Sequence, residues 1–322
     1  MTDPTPRRAR VPLELSGSRL DAAAAQLFPE FSRSRLQIWI EEGALRINGA
    51  VADRARQPVL EGDELELRAD APHNETVKAQ DIALDVLYAD EHIAIINKPA
   101  GLTVHPGAGQ SEGTLQNALL HAFPETAQVP RAGIVHRLDK DTSGVLVIAR
   151  TLVAHTKLVA AIAGREVRRE YDAIVAGVLS GGGRVEAAIG RHPKDRTRMT
   201  ISESGRPAVS HYRVVERFRF HTHLSVRLET GRTHQIRVHM AHIKHPIVGD
   251  SVYGTKSVRG RGMEPSLRET LAGFPRQALH AHALALLHPV TGEEMLFSAD
   301  IPADMQGLIE LLRADLATAA RS

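Results

Sequence analysis

Residues Arg217–Glu229 read RFRFHTHLSVRLE, and the pattern alternates without a break. Phe218, Phe220, Thr222, Leu224, Val226 and Leu228 fall on one side. Arg217, Arg219, His221, His223, Ser225, Arg227 and Glu229 fall on the other. A period of two places one face on a core and leaves the other wet and basic, which is how a strand of antiparallel sheet reads. Thirteen residues is long for one strand, so a turn is expected near His221.

Three polar clusters interrupt the apolar pattern around this strand: His136–Gly144, RREYDA at 168–173, and Glu229–His239. Downstream lies ETGRTHQIRVH, Glu229–His239. Gly231 suggests a tight turn and Thr233 can cap a helix. His234, Arg237 and Met240 then share one helical face, so Arg237 is expected to point inward at a buried acid. His234, His239 and His242 lie close together, but no H-E-x-x-H spacing accompanies them, and a metal site is not expected. Upstream, REYDAIVAGVL reads as a strand with Tyr171 at its head. Such a tyrosine is either core with its hydroxyl satisfied at the edge or a ring that stacks on a base. Further upstream, HRLDKDTSG (His136–Gly144) crowds charge ahead of the apolar run Val145–Ala149. Asp139, held beside a buried strand, is either a reacting carboxylate kept ionised by a nearby guanidinium or a turn acid. Asp141 suits the turn reading better, since Asp-Thr-Ser-Gly is turn chemistry.

The remaining segments set the architecture. Residues 1–15 read as a flexible polar lead. Residues 16–72 read as a small α+β unit: helices in SRLDAAAAQLF and SRSRLQIWIEEG, the second capped by Ser32 and ended by Gly43, then a hairpin at Asn48-Gly49 and a Gly62-Asp63 turn into a last strand. Residues 73–81 are polar, with no periodicity, and read as a linker. Residues 82–322 spread strands and helices without regular βαβ alternation, which favours α+β over a doubly wound sheet. A basic, glycine-containing loop, SVRGRGMEPS, and a helix after Pro302 close the chain.

Composition narrows the function classes. The chain has 322 residues, 43% of them hydrophobic, enough for about two domains with real cores. It has no cysteine, which excludes disulfides and thiolate chemistry. No apolar leader and no membrane-length apolar run is visible, so a cytoplasmic protein with no membrane partner is expected. Net charge is only +2, but Arg191–Arg237 holds eleven Arg/Lys against four Asp/Glu, with five His. That excess suits either a polyanion or a solvated basic face.

Taken together, INKPAGLTVHPG, AGIVHRLDKDTSG, REY, ETGRTHQIRVHMAHIKHPIVGD, YG and RQALHA resemble the RluA/RluD-type pseudouridine synthases, over nearly the whole chain and nearest to the RluD-type members. The resemblance implies a catalytic domain with a mixed, mainly antiparallel sheet flanked by helices and loops. It also implies an N-terminal RNA-binding domain like that of ribosomal protein S-four. The implied reaction isomerises uridines of large-subunit (23S) ribosomal RNA, in the subunit-interface stem-loop, by base flipping and without a cofactor. By this resemblance Asp139 is the essential aspartate, Tyr171 stacks on the uracil and serves in proton removal, Arg237 pairs with the carboxylate, and Arg137 displaces the target nucleotide. His136, His105, Arg232 and Thr233 lie in the same motifs and are expected to contact RNA. In the N-terminal unit, ten Arg stand against twelve Asp/Glu from Met1 to Asp70, so RNA contact must rest on a local patch, for which Arg33, Arg35 and Arg46 are the candidates. The implied partner is ribosomal RNA or a pre-ribosomal large-subunit particle, bound by a monomer. The rivals are a non-catalytic RNA-binding or assembly factor on the same fold, and a carboxylate-dependent hydrolase. A glycosidase needs a second positioned acid, and Asp141 and Asp172 are expected to be turn or strand-surface residues instead.

Overall fold

The structure, a computed structural model, describes residues 6–29, 31, 33–68, 77–107, 110–195, 197–254 and 262–321. The chain divides into two compact units, 1–76 and 77–322. Ser32 and most of the basic loop lie outside the described residues, as does the side chain of Arg35.

In the smaller unit a sheet of order β1-β4-β2-β3 carries two helices. The strands are β1 (Arg7–Arg10), β2 (Leu45–Ile47), β3 (Ala50–Val51) and β4 (Glu64–Leu67); the helices are α1 (Leu20–Leu27) and α2 (Arg33–Glu41). The β2–β3 hairpin turns at Asn48 and Gly49, both at positive φ (51° and 83°), as a type I′ turn requires. The expected flexible lead is corrected from Arg7 onward. Arg7–Arg10 pairs antiparallel with β4, because Arg8 faces Glu66 at 2.9 Å across the ladder and Val11 enters the core.

The larger unit is built on a nine-stranded mixed sheet of order β5-β6-β7-β14-β8-β13-β12-β9, with β15 beside β14. Its strands are β5 (Asp85–Ala89), β6 (Ile93–Lys98), β7 (Ser143–Ala149), β8 (Arg168–Ala176), β9 (Gly183–Glu186), β12 (Val209–Arg217), β13 (His221–Leu228), β14 (Leu279–Leu287) and β15 (Glu294–Ser298). Every pair is antiparallel except β7 with β14. A separate ribbon joins β10 (Ile189–Arg191) to β11 (Met199–Ile201). Helices α3 (Leu115–Ala122), α4 (Leu152–Ala163), α5 (Gln235–His242), α6 (Pro265–Gly273) and α7 (Ala303–Arg321) flank the sheet. Thr114 and Asn117 close a reciprocal capping box on α3. The carbonyls of Asn117 and Lys78 bond to Gln80 N–H and Asn117 Nδ2 respectively, so the last residues of the expected linker are fastened to α3.

The alternating stretch splits where a turn was expected: β12 ends at Arg217 and β13 begins at His221. Its second face is not wet, however. His221, His223 and Ser225 are all buried, and of that face only Arg227 in β13 is exposed. Helix α7 lies against it, with Arg313 bonded to Glu216 at 2.7 Å. Asp172, expected at the strand surface, is also corrected. It is 8% exposed, 2.7 Å from His223 Nε2 and 3.1 Å from His282 Nδ1. It projects from the face of β8 opposite Tyr171, because neighbouring side chains of a strand alternate.

Candidate active site

Strand alternation sends Arg169 and Tyr171 of β8 to one face of the sheet, with Leu279 of β14 beside them. They floor a cleft of about 430 Å³ whose walls are His136–Asp139, before β7, and Leu228–Arg237, running from β13 into α5. His105, Arg131 and Arg165 complete the rim. Thus Asp139, Tyr171, Arg237, Arg137, His136, His105, Arg232 and Thr233 all line one cleft, although they are far apart in sequence.

Asp139 opens a turn in which Thr142 N–H donates to its carbonyl. The turn is fixed from below by Lys98, which is fully buried. Lys98 Nζ donates to the carbonyls of Pro99, Leu102 and Lys140, at 2.7, 2.9 and 2.9 Å. Three donors meet three acceptors, so the ammonium acts as a staple between the two loops.

The carboxylate of Asp139 accepts from Arg237 Nη1 at 3.0 Å. Arg237 is buried on α5 and is itself held by Asp250, with Nε to Oδ2 at 2.7 Å and Nη2 to Oδ1 at 2.9 Å. Asp250 also accepts from the N–H groups of Val252 and Tyr253. Burial opposes the guanidinium's charge, but Asp250 and then Asp139 outweigh it and hold its pKa above the ordinary value. His234 adds a weaker contact, with Nε2 3.9 Å from Asp139 Oδ1. The hydroxyl of Tyr253 accepts from Met199 N–H, so its own proton is free for His234 Nδ1, 2.8 Å away.

The helix starts one residue later than expected. Its N-cap is His234, at φ 56°, and no side chain caps it, so the expected cap by Thr233 is corrected. The loop is instead held by Gln235. Its Oε1 accepts from Thr230 Oγ1 and Arg232 N–H, and its Nε2 donates to the Val209 carbonyl and to Ser210 Oγ. His239 turns away from the cleft, bonding Ser210 Oγ and the Ala187 carbonyl.

The other expected residues take different environments. Arg137 is exposed at the rim. His136 Nε2 accepts from Val147 N–H at 3.2 Å, and burial pushes its pKa down to about 3. Burial also lowers the pKa of His105. Tyr171 is buried, which raises its phenol pKa; Arg169 partly offsets this. In the smaller unit Arg33 is committed to buried Asp21, at 3.0 and 3.2 Å, together with Arg19 and Gln37. Arg46 reaches the Gly49 carbonyl at 3.4 Å.

Sequence reasoning did not single out Asp250, Gln235, Tyr253, Arg169 or Lys98. All five lie inside the stretches that carry the family resemblance, but their roles depend on contacts between distant segments.

A half-buried carboxylate charge-paired in the wall of an arginine-rimmed cleft fits chemistry on RNA, and the comparisons give its class. Residues 92–242 match the RNA pseudouridylate synthase family, and residues 18–65 match the S4 domain. The chain belongs to the RNA pseudouridylate synthase family and is an isomerase that converts uridine in RNA to pseudouridine. In particular, it is 56% identical over 315 residues to ribosomal large subunit pseudouridine synthase D of Pseudomonas aeruginosa, covering 98% of each chain. It is 52% identical over 299 residues to the protein of that name from Escherichia coli K12, covering 93% of this chain and 92% of the relative. Among solved structures it resembles human RNA pseudouridylate synthase domain containing 4 (TM-score 0.56, 25% identity, 71% of this chain and 92% of that one). It also resembles human RNA pseudouridylate synthase domain containing 1 (TM-score 0.53, 26% identity, 73% and 97%).

Proposed function

We propose that the protein isomerises specific uridines of large-subunit (23S) ribosomal RNA, in the stem-loop at the subunit interface, with Asp139 as the essential group. The relatives named above support the substrate, and the Arg237–Asp139 contact inside the cleft supports the residue. The reaction breaks the C1′–N1 bond, turns the uracil and forms a C1′–C5 bond. It needs no redox change and no group donor, and hence no cofactor.

A uridine inside folded RNA must first leave its stack. Arg137, exposed at the rim, takes the place of the departing nucleotide. Tyr171 stacks on the flipped base and accepts a proton in a later step. Asp139 attacks the uracil or the ribose, or removes a ribose proton; for each route Arg237 pairs with the carboxylate and holds it in place. His105, His136, Arg232 and Thr233 contact the RNA around this pocket, and Arg33, Arg35 and Arg46 form the patch on the S4 domain. The protein acts as a cytoplasmic monomer on free ribosomal RNA or an assembling particle. Among the described residues no helix is long and apolar enough to cross a membrane.

A hydrolase reading lacks its second acid. Asp172 projects from the far face of β8, and Glu229, the one other carboxylate lining the cleft among the described residues, is bonded to Arg165 and His211. The test is ribosomal RNA carrying uridine tritiated at C5. Tritium release without strand cleavage, mapped to uridines of that stem-loop, is the expected result. Strand cleavage, or modification confined to small-subunit or transfer RNA, contradicts it.

A further inference from the structure

Arg169 is a buried cation with none of the roles assigned above. It is 6% exposed and lines the cleft from the same face of β8 as Tyr171. Its Nε has no hydrogen-bond partner. Among the described residues two carboxylates line the cleft, and both are taken: Asp139 by Arg237, and Glu229 by Arg165 and His211. A guanidinium buried without an anion is costly to keep. The missing partner is therefore expected from the substrate.

The surroundings of Arg169 are shaped to hold it there. A Cβ at Gly231 would lie 2.7 Å from Arg169 Nη1, although Gly231 has no unusual φ that would demand glycine. Gly231 is thus bare where the guanidinium passes. Beside it, His136 also keeps an unpartnered buried nitrogen, Nδ1. Because His136 Nε2 accepts the Val147 N–H, the neutral ring carries its proton on Nδ1 and is a donor.

Depth decides what these donors meet. Arg131, Arg137 and Arg165 are exposed and Arg232 is half-buried, so the rim is where RNA phosphates stay. A flipped nucleotide sends its base deepest, and the base offers two carbonyl oxygens, O2 and O4. We propose that Arg169, with His136 as second donor, binds these uracil oxygens and stabilises the negative charge that develops on the base as it leaves the ribose. When C1′–N1 breaks, the bonding pair passes to the uracil and is shared over N1, O2 and O4. When C1′–C5 forms, the pair returns through C5. The C5 proton is then lost, N1 gains one, and Arg169 stays protonated throughout. This assignment rests on the uridine entering this cleft.

The test compares full-length wild type with Arg169→Met, Arg169→Lys and Gly231→Ala, by single-turnover rate at saturating protein and by RNA Kd across salt concentrations. Removing a donor to a developing charge costs roughly 100-fold or more in rate, so that loss is expected for Arg169→Met, with Kd and its salt slope unchanged. Arg169→Lys keeps the charge and recovers part of the rate. Gly231→Ala, which leaves the arginine but moves it, is also slow, and decides the question should Arg169→Met fail to fold. Rates within about twofold of wild type in both, or a salt slope smaller by about one, as loss of a phosphate contact gives, overturns the proposal. The wild-type rate on the same RNA tests the substrate assignment separately.

Discussion

Arg237 grips Asp250 through two parallel N–H···O bonds of 2.7 and 2.9 Å, and this fork leaves Nη1 free to meet Asp139. Asp250 is the anchor that aims the guanidinium, though it does not line the cleft itself. Neutralising it leaves a buried cation with one partner instead of two. Asp250→Asn is expected to lower stability by about 3 kcal/mol, as breaking a buried pair does. It should also slow single turnover at saturating RNA, while Kd stays close to wild type. Thermal unfolding and single-turnover rates check both.

Lys98 controls the same site from beneath. Lys98 is buried and ties together three loop carbonyls, one of which belongs to Lys140, directly after Asp139. Lys98→Met fills the volume but leaves three acceptors without a donor. A loss of about 2–4 kcal/mol is expected from such unsatisfied groups, with reduced activity because the Asp139 turn loosens. Denaturant unfolding measures the first and tritium release the second.

These two residues mark where the sequence stops being legible. The inward aim of Arg237 could be read from the period of its helix, and the sheet from the alternation around Leu224. The hairpin at Asn48-Gly49 is local chemistry and was equally open to reading. Asp250, Lys98 and Arg169 act across gaps of many residues, and no local pattern encodes such pairs. Asp172 and His223 look like a solvent face because alternation reports two faces without saying what covers the second; here α7 does. The His234 cap escaped notice because a left-handed histidine runs against cap preferences, and the surrounding Gln235 bonds sustain it.

For Tyr171 the direction of its pKa shift fixes the expected pH dependence. Burial raises the phenol pKa, so at neutral pH the hydroxyl keeps its proton. If the phenolate is the proton acceptor, the rate of proton removal rises with pH from neutral into the alkaline range. Tyr171→Phe keeps the stacking ring, should bind RNA normally and should slow severely, by about 100-fold or more for a lost general base. A pH–rate profile of the variant that keeps the wild-type slope contradicts the role.

The smaller unit is expected to supply affinity and not chemistry. Removing residues 1–76 should leave 77–322 folded, weaken use of ribosomal RNA and flatten the salt dependence of binding. Within it, Arg33→Ala should also destabilise, because Arg33 neutralises buried Asp21, whose pKa its arginines and Gln37 hold down at about 2 against the effect of burial. That contribution is present above the ordinary aspartate range and is lost as pH falls toward 2; it is worth about 1–2 kcal/mol. Hydrogen exchange in α1 and α2 across that pH range measures it, and Arg46→Ala, outside this network, should affect RNA binding alone.

The most direct test concerns Asp139. Asp139→Asn keeps the shape of the side chain and removes its charge beside Arg237. On ribosomal RNA tritiated at C5, the variant is predicted to release no tritium while binding the RNA with a Kd close to wild type. Full turnover by Asp139→Asn would contradict the account.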